Sequence, residues 1–325
     1  MSLKLIEQLS LAGSDTRPNE DSFAVLEHAA LVMDGATPLG PSLLPGPSDA
    51  AWIAQFGARR LSAHLKDGDS PRDALKHALE DAARSFIGLT REPIREKWQT
   101  PCASIMLAVE FDDTHWPTQP REVATALGSL GREPRPASMR FAPAGVRAAA
   151  KLPERARPSF EFLWFGDCAA LVEQDGEVML VGEALEKRKA EAKRARRIAK
   201  EKNISAAAGI NRPEIEPLLR AARNRINSGS NWLFSPDVRA ANHIARKTLL
   251  LSQDATLLIA SDGFLALITD YDSYDAKSLM AAAKSKGLAA LGHELRAIEE
   301  GDALGRKYAR FKKSDDSTAL LLRVG

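Results

Sequence analysis

Only two cysteines occur in the 325 residues, Cys102 and Cys168, far apart in the chain with no CxxC spacing and no neighbouring histidine. That excludes a disulfide framework and a thiolate zinc site, and both read as small core residues. Long apolar runs are also missing: nothing approaches the roughly eighteen residues a membrane span needs, and Glu7 interrupts the N-terminal segment before a signal-peptide core could form. A soluble, cytoplasmic protein that makes no use of a membrane is expected. No GxxxxGK[ST] loop and no internal repeat are present. The net charge is only +2, yet residues 186–202 hold nine Lys/Arg against three Glu, a local +6 that leaves about −4 for the remainder. A slightly acidic chain with one basic segment lacks the broad positive field of a nucleic-acid binder. That segment reads either as a docking helix for substrate or partner, or as a solvated helix held by i, i+4 charge pairs.

What is present suffices for a full core: 44% of the residues are hydrophobic, and the length suits one large domain with an insertion or two domains. Residues 22–26 and 29–33 are short apolar runs around a tight turn at Glu27-His28, the pattern of a β-hairpin. A helix is predicted over 49–66, with Ser48 as N-cap and Ile53, Leu61 and Leu65 on one face. A second begins at Ser70-Pro71, an N-cap followed by proline in the first turn, with a stripe of Leu75, Leu79, Ala82 and Phe86. Strands are predicted over 102–111, 160–165, 169–173, 177–181, 247–251, 256–260 and 318–323, and Asp175-Gly176 joins two of them in a hairpin turn. Between residues 112 and 158 the pattern dissolves into a proline-rich stretch, read as a long loop or insertion. Further helices are expected after Pro213 and between 275 and 310. Short hairpin-linked strands alternating with helix pairs favour an antiparallel α/β architecture, a β-sandwich flanked by helix pairs, over a doubly wound parallel sheet.

Carboxylates fall repeatedly at the ends of these strands. A two-residue turn at 27 and 28 sets Asp21 opposite Asp34, with Glu20 alongside. Asp262 follows one strand, Asp315 and Asp316 precede another, and Asp167 opens a hairpin after Gly166. If the strands bearing Asp262 and Asp315 pair antiparallel, those two share one end as well. Any one of these aspartates alone reads as a turn or cap residue. Gathered together they would repel unless a cation sat among them, and an all-oxygen set suits Mg²⁺ or Mn²⁺ rather than zinc. Gly35 and Gly263 are expected to let backbone come close to such an ion.

Six short motifs in order, Arg17-Pro18-Asn19-Glu20-Asp21, Val32-Met33-Asp34-Gly35, Thr100-Pro101-Cys102-Ala103-Ser104, Gly166-Asp167-Cys168, Ala260-Ser261-Asp262-Gly263-Phe264 and Asp315-Asp316-Ser317-Thr318, resemble those of the type 2C metal-dependent serine/threonine protein phosphatases across nearly the whole chain. The resemblance implies a β-sandwich between helix pairs and a binuclear Mg²⁺/Mn²⁺ centre. Asp34 matches the carboxylate bridging both metals, and the Gly35 carbonyl matches a ligand of one. Asp262 and Asp315 match ligands of the other; Glu20 and Asp21 match residues reaching the centre directly or through water. Asp315 is preferred to Asp316 because Thr318 then aligns with the threonine opening the last strand. Asp167, with Asp262, matches the pair that holds a weaker third metal. Arg17 resembles the arginine that binds substrate phosphate.

On that resemblance the chain is a protein phosphatase acting on phosphorylated proteins or peptides, with a metal-bridging water as nucleophile and no covalent phosphoenzyme. It is read as one domain over residues 1–325, carrying a proline-rich insertion at about 112–158 and a basic, helical flap-like insertion at about 183–228. Arg223, Asn227 and Trp232, in a segment that resembles the region before the last sheet strands in some bacterial members of that family, read as core and helix-surface residues. The second motif departs from the family, which often continues Asp-Gly-His-Gly-Gly: here Asp34-Gly35 is followed by Ala36-Thr37-Pro38. The histidine proposed as general acid is therefore missing, and His28, about 20 Å away along the strand, cannot replace it. The alternative this departure raises is a pseudophosphatase that binds phosphoproteins without hydrolysing them. Met33 to Thr37 superficially resembles the haloacid dehalogenase motif, which needs an aspartate where this chain has Val32.

Overall fold

The computed structural model describes residues 2–111, 159–184, 216–308, 310 and 312–325. The proline-rich stretch 112–158 and the basic segment 186–202 both lie outside the described residues.

Among the described residues, ten antiparallel strands form two five-stranded sheets. The first, in the order β2-β3-β4-β5-β8, is built from Asp21–Val25 (β2), Ala29–Gly35 (β3), Ala103–Phe111 (β4), Ser159–Phe165 (β5) and Ala245–Leu250 (β8). The second, β1-β10-β9-β6-β7, comprises Leu3–Leu11 (β1), Ala169–Gln174 (β6), Glu177–Val181 (β7), Thr256–Ala260 (β9) and Ser317–Val324 (β10). Because side chains alternate along a strand, each sheet offers two apolar faces. Leu31 and Met33 of β3 point to the helices Asp49–Lys66 (α1) and Pro71–Leu89 (α2), into a core with Ile53, Leu61, Leu75 and Leu79. Ala30 and Val32 point the other way, meeting Ile259, Leu257, Leu320 and Leu322 between the sheets. The outer face of the second sheet is covered by Asp262–Thr269 (α4), Ala276–Lys286 (α5) and Leu288–Gly301 (α6); among the described residues the remaining α-helix is Glu216–Arg223 (α3). The architecture is thus helices, sheet, sheet, helices, and double-sided burial explains why β3 and β9 read as unbroken apolar runs.

Local chemistry sets the element ends. Ser48 accepts from Ala51 N–H and Ser70 from Asp73 N–H, capping α1 and α2 at the expected places. Asp175 and Gly176 both take positive φ in the β6–β7 turn, as the right-handed twist of a two-residue hairpin demands. Two elements differ from expectation. Strand β1 pairs with β10 along the sheet edge, and α4 follows β9 with only Ser261 between them. The second sheet accordingly carries a short third helix in addition to a helix pair.

Candidate metal centre

Strands β2, β3, β9 and β10 bring their carboxylate-bearing ends to the same edge of the sandwich. Asp21 pairs directly with Asp34, and Asp34 with Ser104 on β4. Antiparallel β9 and β10, with Ala260 opposite Ala319, put Asp262 and Asp315 at one end. Ser104 Oγ donates to Asp167 Oδ1 at 2.6 Å, tying the β5–β6 turn to the same place. Gly166 is what allows this: its φ is +74°, and a Cβ there would stand 2.1 Å from Ser104 Oγ.

The electrostatics record the convergence. Desolvation raises Asp34 well above the ordinary carboxylate range, and repulsion from Asp262, Asp21, Asp315 and Asp167 adds to it. Burial likewise pushes Asp21 up to about 7, against a hydrogen bond from Ser261 Oγ at 2.8 Å and with repulsion from Asp315 and Asp316. One oxygen of Asp21, Oδ1, is buried with no hydrogen-bond partner among the described residues. Cys168 sits buried beneath the cluster, its thiol pushed up by burial and then by Asp34 and Asp167; like buried Cys102 it is an inert core residue.

The remaining candidates are placed differently. Both oxygens of Glu20 are engaged, Oε2 by Thr37 Oγ1 at 2.8 Å and Oε1 by Ser48 Oγ at 2.5 Å, so it couples β2 to the start of α1. Asp316 accepts backbone N–H groups from Gly13 at 2.6 Å and Glu20 at 2.7 Å, whereas Asp315 faces Asp21 and Asp34. Exposed Arg17 lines a cleft of about 360 Å³ with Glu20, Thr37, Ser48 and Arg220. Gly35 and Gly263 are both packed against neighbouring backbone that leaves no space for a Cβ. A Cβ at Gly35 would meet Ala50 O at 2.4 Å, and one at Gly263 would meet Asp316 O at 1.9 Å. His28 pairs with Glu110 at the far end of the hairpin.

Sequence reasoning missed Lys312. Its Nζ forms an ion pair with Asp315 Oδ1 and lies 3.5 Å from Thr37 Oγ1. Burial pulls its pKa down, but Asp315, with Asp34 and Asp262 beyond, more than offsets that and holds the ammonium charged. The only sequence signal was a lysine three residues before the acidic pair. Also missed was the role of α3: Arg220 donates twice to Leu39 O, at 3.1 and 2.8 Å, and stacks over Trp98. Arg223 reaches Ala36 O and Thr37 O at 3.4 Å. The loop that departs from the family motif is thereby latched by two arginines.

This donor set fits divalent metal ions. It is all carboxylate, its members repel one another, and a buried carboxylate oxygen is left over. Its oxygens are spread apart: among the described residues, three donor atoms lie within 4.8 Å of one another only at His64, Asp69 and His77.

No family model matches the sequence, and no curated protein does. Solved structures do match along their full length. The Mycobacterium tuberculosis serine/threonine phosphatase PstP/Ppp is 13% identical, with 100% of this chain and 99% of that chain covered and a TM-score of 0.50. A PPM Ser-Thr phosphatase of Mycobacterium smegmatis in complex with cacodylate is 14% identical, with 99% and 100% covered at 0.49. The catalytic domain of PstP in complex with two manganese ions is 14% identical, with 99% of each chain covered, also at 0.49. The fold is that of the bacterial type 2C, or PPM, serine/threonine phosphatases.

Proposed function

We propose that this chain is a metal-dependent phosphoesterase that hydrolyses phosphoserine and phosphothreonine in proteins or peptides. We read it as a single catalytic domain with insertions at about 112–158 and 183–228. The observation that carries the proposal is the convergence of Asp21, Asp34, Asp167, Asp262 and Asp315 at one sandwich edge, where desolvation and mutual repulsion raise Asp34. Asp34, Gly35, Asp262 and Asp315 would hold two Mg²⁺ or Mn²⁺ ions, with Glu20 and Asp21 directly or through water, and Asp167 with Asp262 would hold a weaker third. When bound, such ions supply Lewis acidity, which lowers the pKa of water and offsets charge on phosphoryl oxygens.

The chain's own residues do the rest. Ser261 holds Asp21 by one oxygen and so aims the other inward. Ser104 fixes Asp167, and Ser48 and Thr37 fix Glu20. Arg17, on the rim of the adjoining cleft, would take the substrate phosphate as a charge-assisted donor. Two observations favour the pseudophosphatase as the second reading: Ala36 stands where many relatives have a histidine, and Lys312 places a cation against the acid cluster.

Hydrolysis of an aryl phosphate and of phosphopeptides, with and without Mn²⁺, separates the two. Turnover that requires Mn²⁺ and is lost in Asp34→Ala is the expected result. Phosphopeptide binding with no turnover at saturating Mn²⁺ would establish the second reading instead.

A further inference from the structure

The far end of α1 carries a second cluster of metal-ligating side chains. His64 lies sixteen residues along the helix from Ser48, about 24 Å at 1.5 Å per residue, well away from the carboxylate centre. Asp69 sits in the α1–α2 turn and His77 in the second turn of α2. Asp69 Oδ2 is 2.7 Å from His77 Nδ1 and 3.3 Å from His64 Nδ1, and the two rings stand 5.3 Å apart between centroids.

The outer contacts fix how His64 is oriented. Its Nε2 is 2.9 Å from Asp81 Oδ2, which also takes Arg60 Nε at 2.5 Å, while Arg84 pairs with the other Asp81 oxygen. Arg60 Nη2 lies farther off, 3.4 Å from the same Nε2. An aspartate paired with two arginines accepts, so Nε2 carries the hydrogen. In the neutral ring the lone pair then falls on Nδ1, aimed at the Asp69 carboxylate. Two lone pairs at 3.3 Å require a cation between them, either a proton or a metal ion. A carboxylate accepting from the outer nitrogen of a histidine is the arrangement that orients metal-ligating histidines.

We propose that His64 Nδ1, His77 Nδ1 and Asp69 Oδ2 form a second metal site, for Zn²⁺ or a similar late transition ion. Two imidazoles and one carboxylate suit that class, whereas Mg²⁺ favours oxygen alone. Bond lengths of 2.0–2.1 Å put tetrahedral ligands roughly 3.3 Å apart, the separation found between His64 and Asp69; His77 Nδ1, now 2.7 Å from Asp69, would draw back by roughly 0.6 Å when an ion replaces that hydrogen bond. The His77 side chain is 41% exposed, which leaves a fourth position open to water. A bound ion would cross-link the end of α1 to the start of α2, the helix pair that covers the β2–β3–β4 face.

The test uses the full chain, stripped by chelator and kept in millimolar Mg²⁺, titrated with Zn²⁺ by calorimetry and with Co²⁺ by visible absorption. One Zn²⁺ per chain and intense tetrahedral Co²⁺ bands are expected in the wild type and in Asp34→Ala alike. His77→Ala should lose both while keeping a cooperative thermal melt, and so should His77→Gln, which retains a donor to Asp69 but ligates poorly. Asp81→Asn should weaken Zn²⁺ binding about 10- to 100-fold. Unchanged Zn²⁺ affinity in both His77 variants would overturn the site, as would loss of binding in Asp34→Ala. Absence of any Zn²⁺ binding would leave the cluster as a proton-bridged clamp.

Discussion

At the scale of single residues, Lys312 sets the charge balance of the acidic centre. Its ammonium pairs with Asp315 and stands within electrostatic reach of Asp34 and Asp262, so a divalent ion entering there must displace or outcompete it. The lysine side chain is 37% exposed and that of Asp315 18%. At that exposure the pair contributes about 0.5–1 kcal/mol, or roughly a two- to fivefold change in a binding constant. Lys312→Met should therefore tighten Mn²⁺ binding by about that factor, read by calorimetry. Unchanged or weaker Mn²⁺ affinity would show that the ammonium does not compete for the ion's place. The sequence could not display this contact, because a lysine three residues from an aspartate in a loop has no fixed direction until the loop is built.

At the scale of elements, that loop is organised by Asp302, just beyond α6. Its carboxylate accepts from the backbone of Arg306 at 2.8 Å, Lys307 at 3.2 Å and Tyr308 at 3.0 Å, and from Arg310 Nη1 at 2.9 Å. Desolvation pushes Asp302 up, but these donors outweigh it and hold the group at about 2, below its ordinary 3.8. A carboxyl depressed on folding contributes stability that is present above its unfolded pKa and lost as pH falls through the folded one. The loop should therefore loosen between about pH 4 and pH 2, and Asp302→Asn should remove this contribution at neutral pH. Amide exchange across residues 302–310 reads it; exchange in the variant equal to wild type at pH 7 would contradict the assignment. Elements of this sandwich were legible wherever local chemistry decides: the helix caps Ser48 and Ser70, the Asp175-Gly176 turn, and the β2–β3 register that sets Asp21 against Asp34. Strand β1 was not: its burial alternates, but exposed Ile6 and half-buried Glu7 stand on the wrong faces for an apolar/polar pattern to show. Nor was α4, since eight mostly apolar residues after a strand carry no helical period long enough to see. The hydroxyls that hold the acids, Ser48, Ser104 and Ser261, come from distant segments, and only the closed fold brings them there.

At the scale of the whole molecule, the two sheets bring like charges together at their common edge. Asp21 and Asp34 belong to one sheet, Asp262 and Asp315 flank strands of the other, and Asp167 lies in the connection between them. Folding gathers these carboxylates and dehydrates them, which raises Asp34 and Asp21, so in the absence of divalent ions the cluster works against the sandwich. Removing one charge should then stabilise the metal-free protein: Asp34→Ala should melt above the wild type in chelator. Ions that bind only the folded state reverse the order. By linkage, free Mn²⁺ at a hundred times its dissociation constant adds about 2.7 kcal/mol per site, which for a chain of 325 residues is a rise of about 4 °C in Tm per site. Wild type should gain it and Asp34→Ala, lacking the proposed bridging ligand, should not. Melting curves of both proteins, in chelator and across a Mn²⁺ series, decide the matter. Equal melting temperatures in chelator would mean that the carboxylates are too far apart or too well solvated to strain the fold. Equal Mn²⁺-induced rises would place the ions somewhere other than at Asp34.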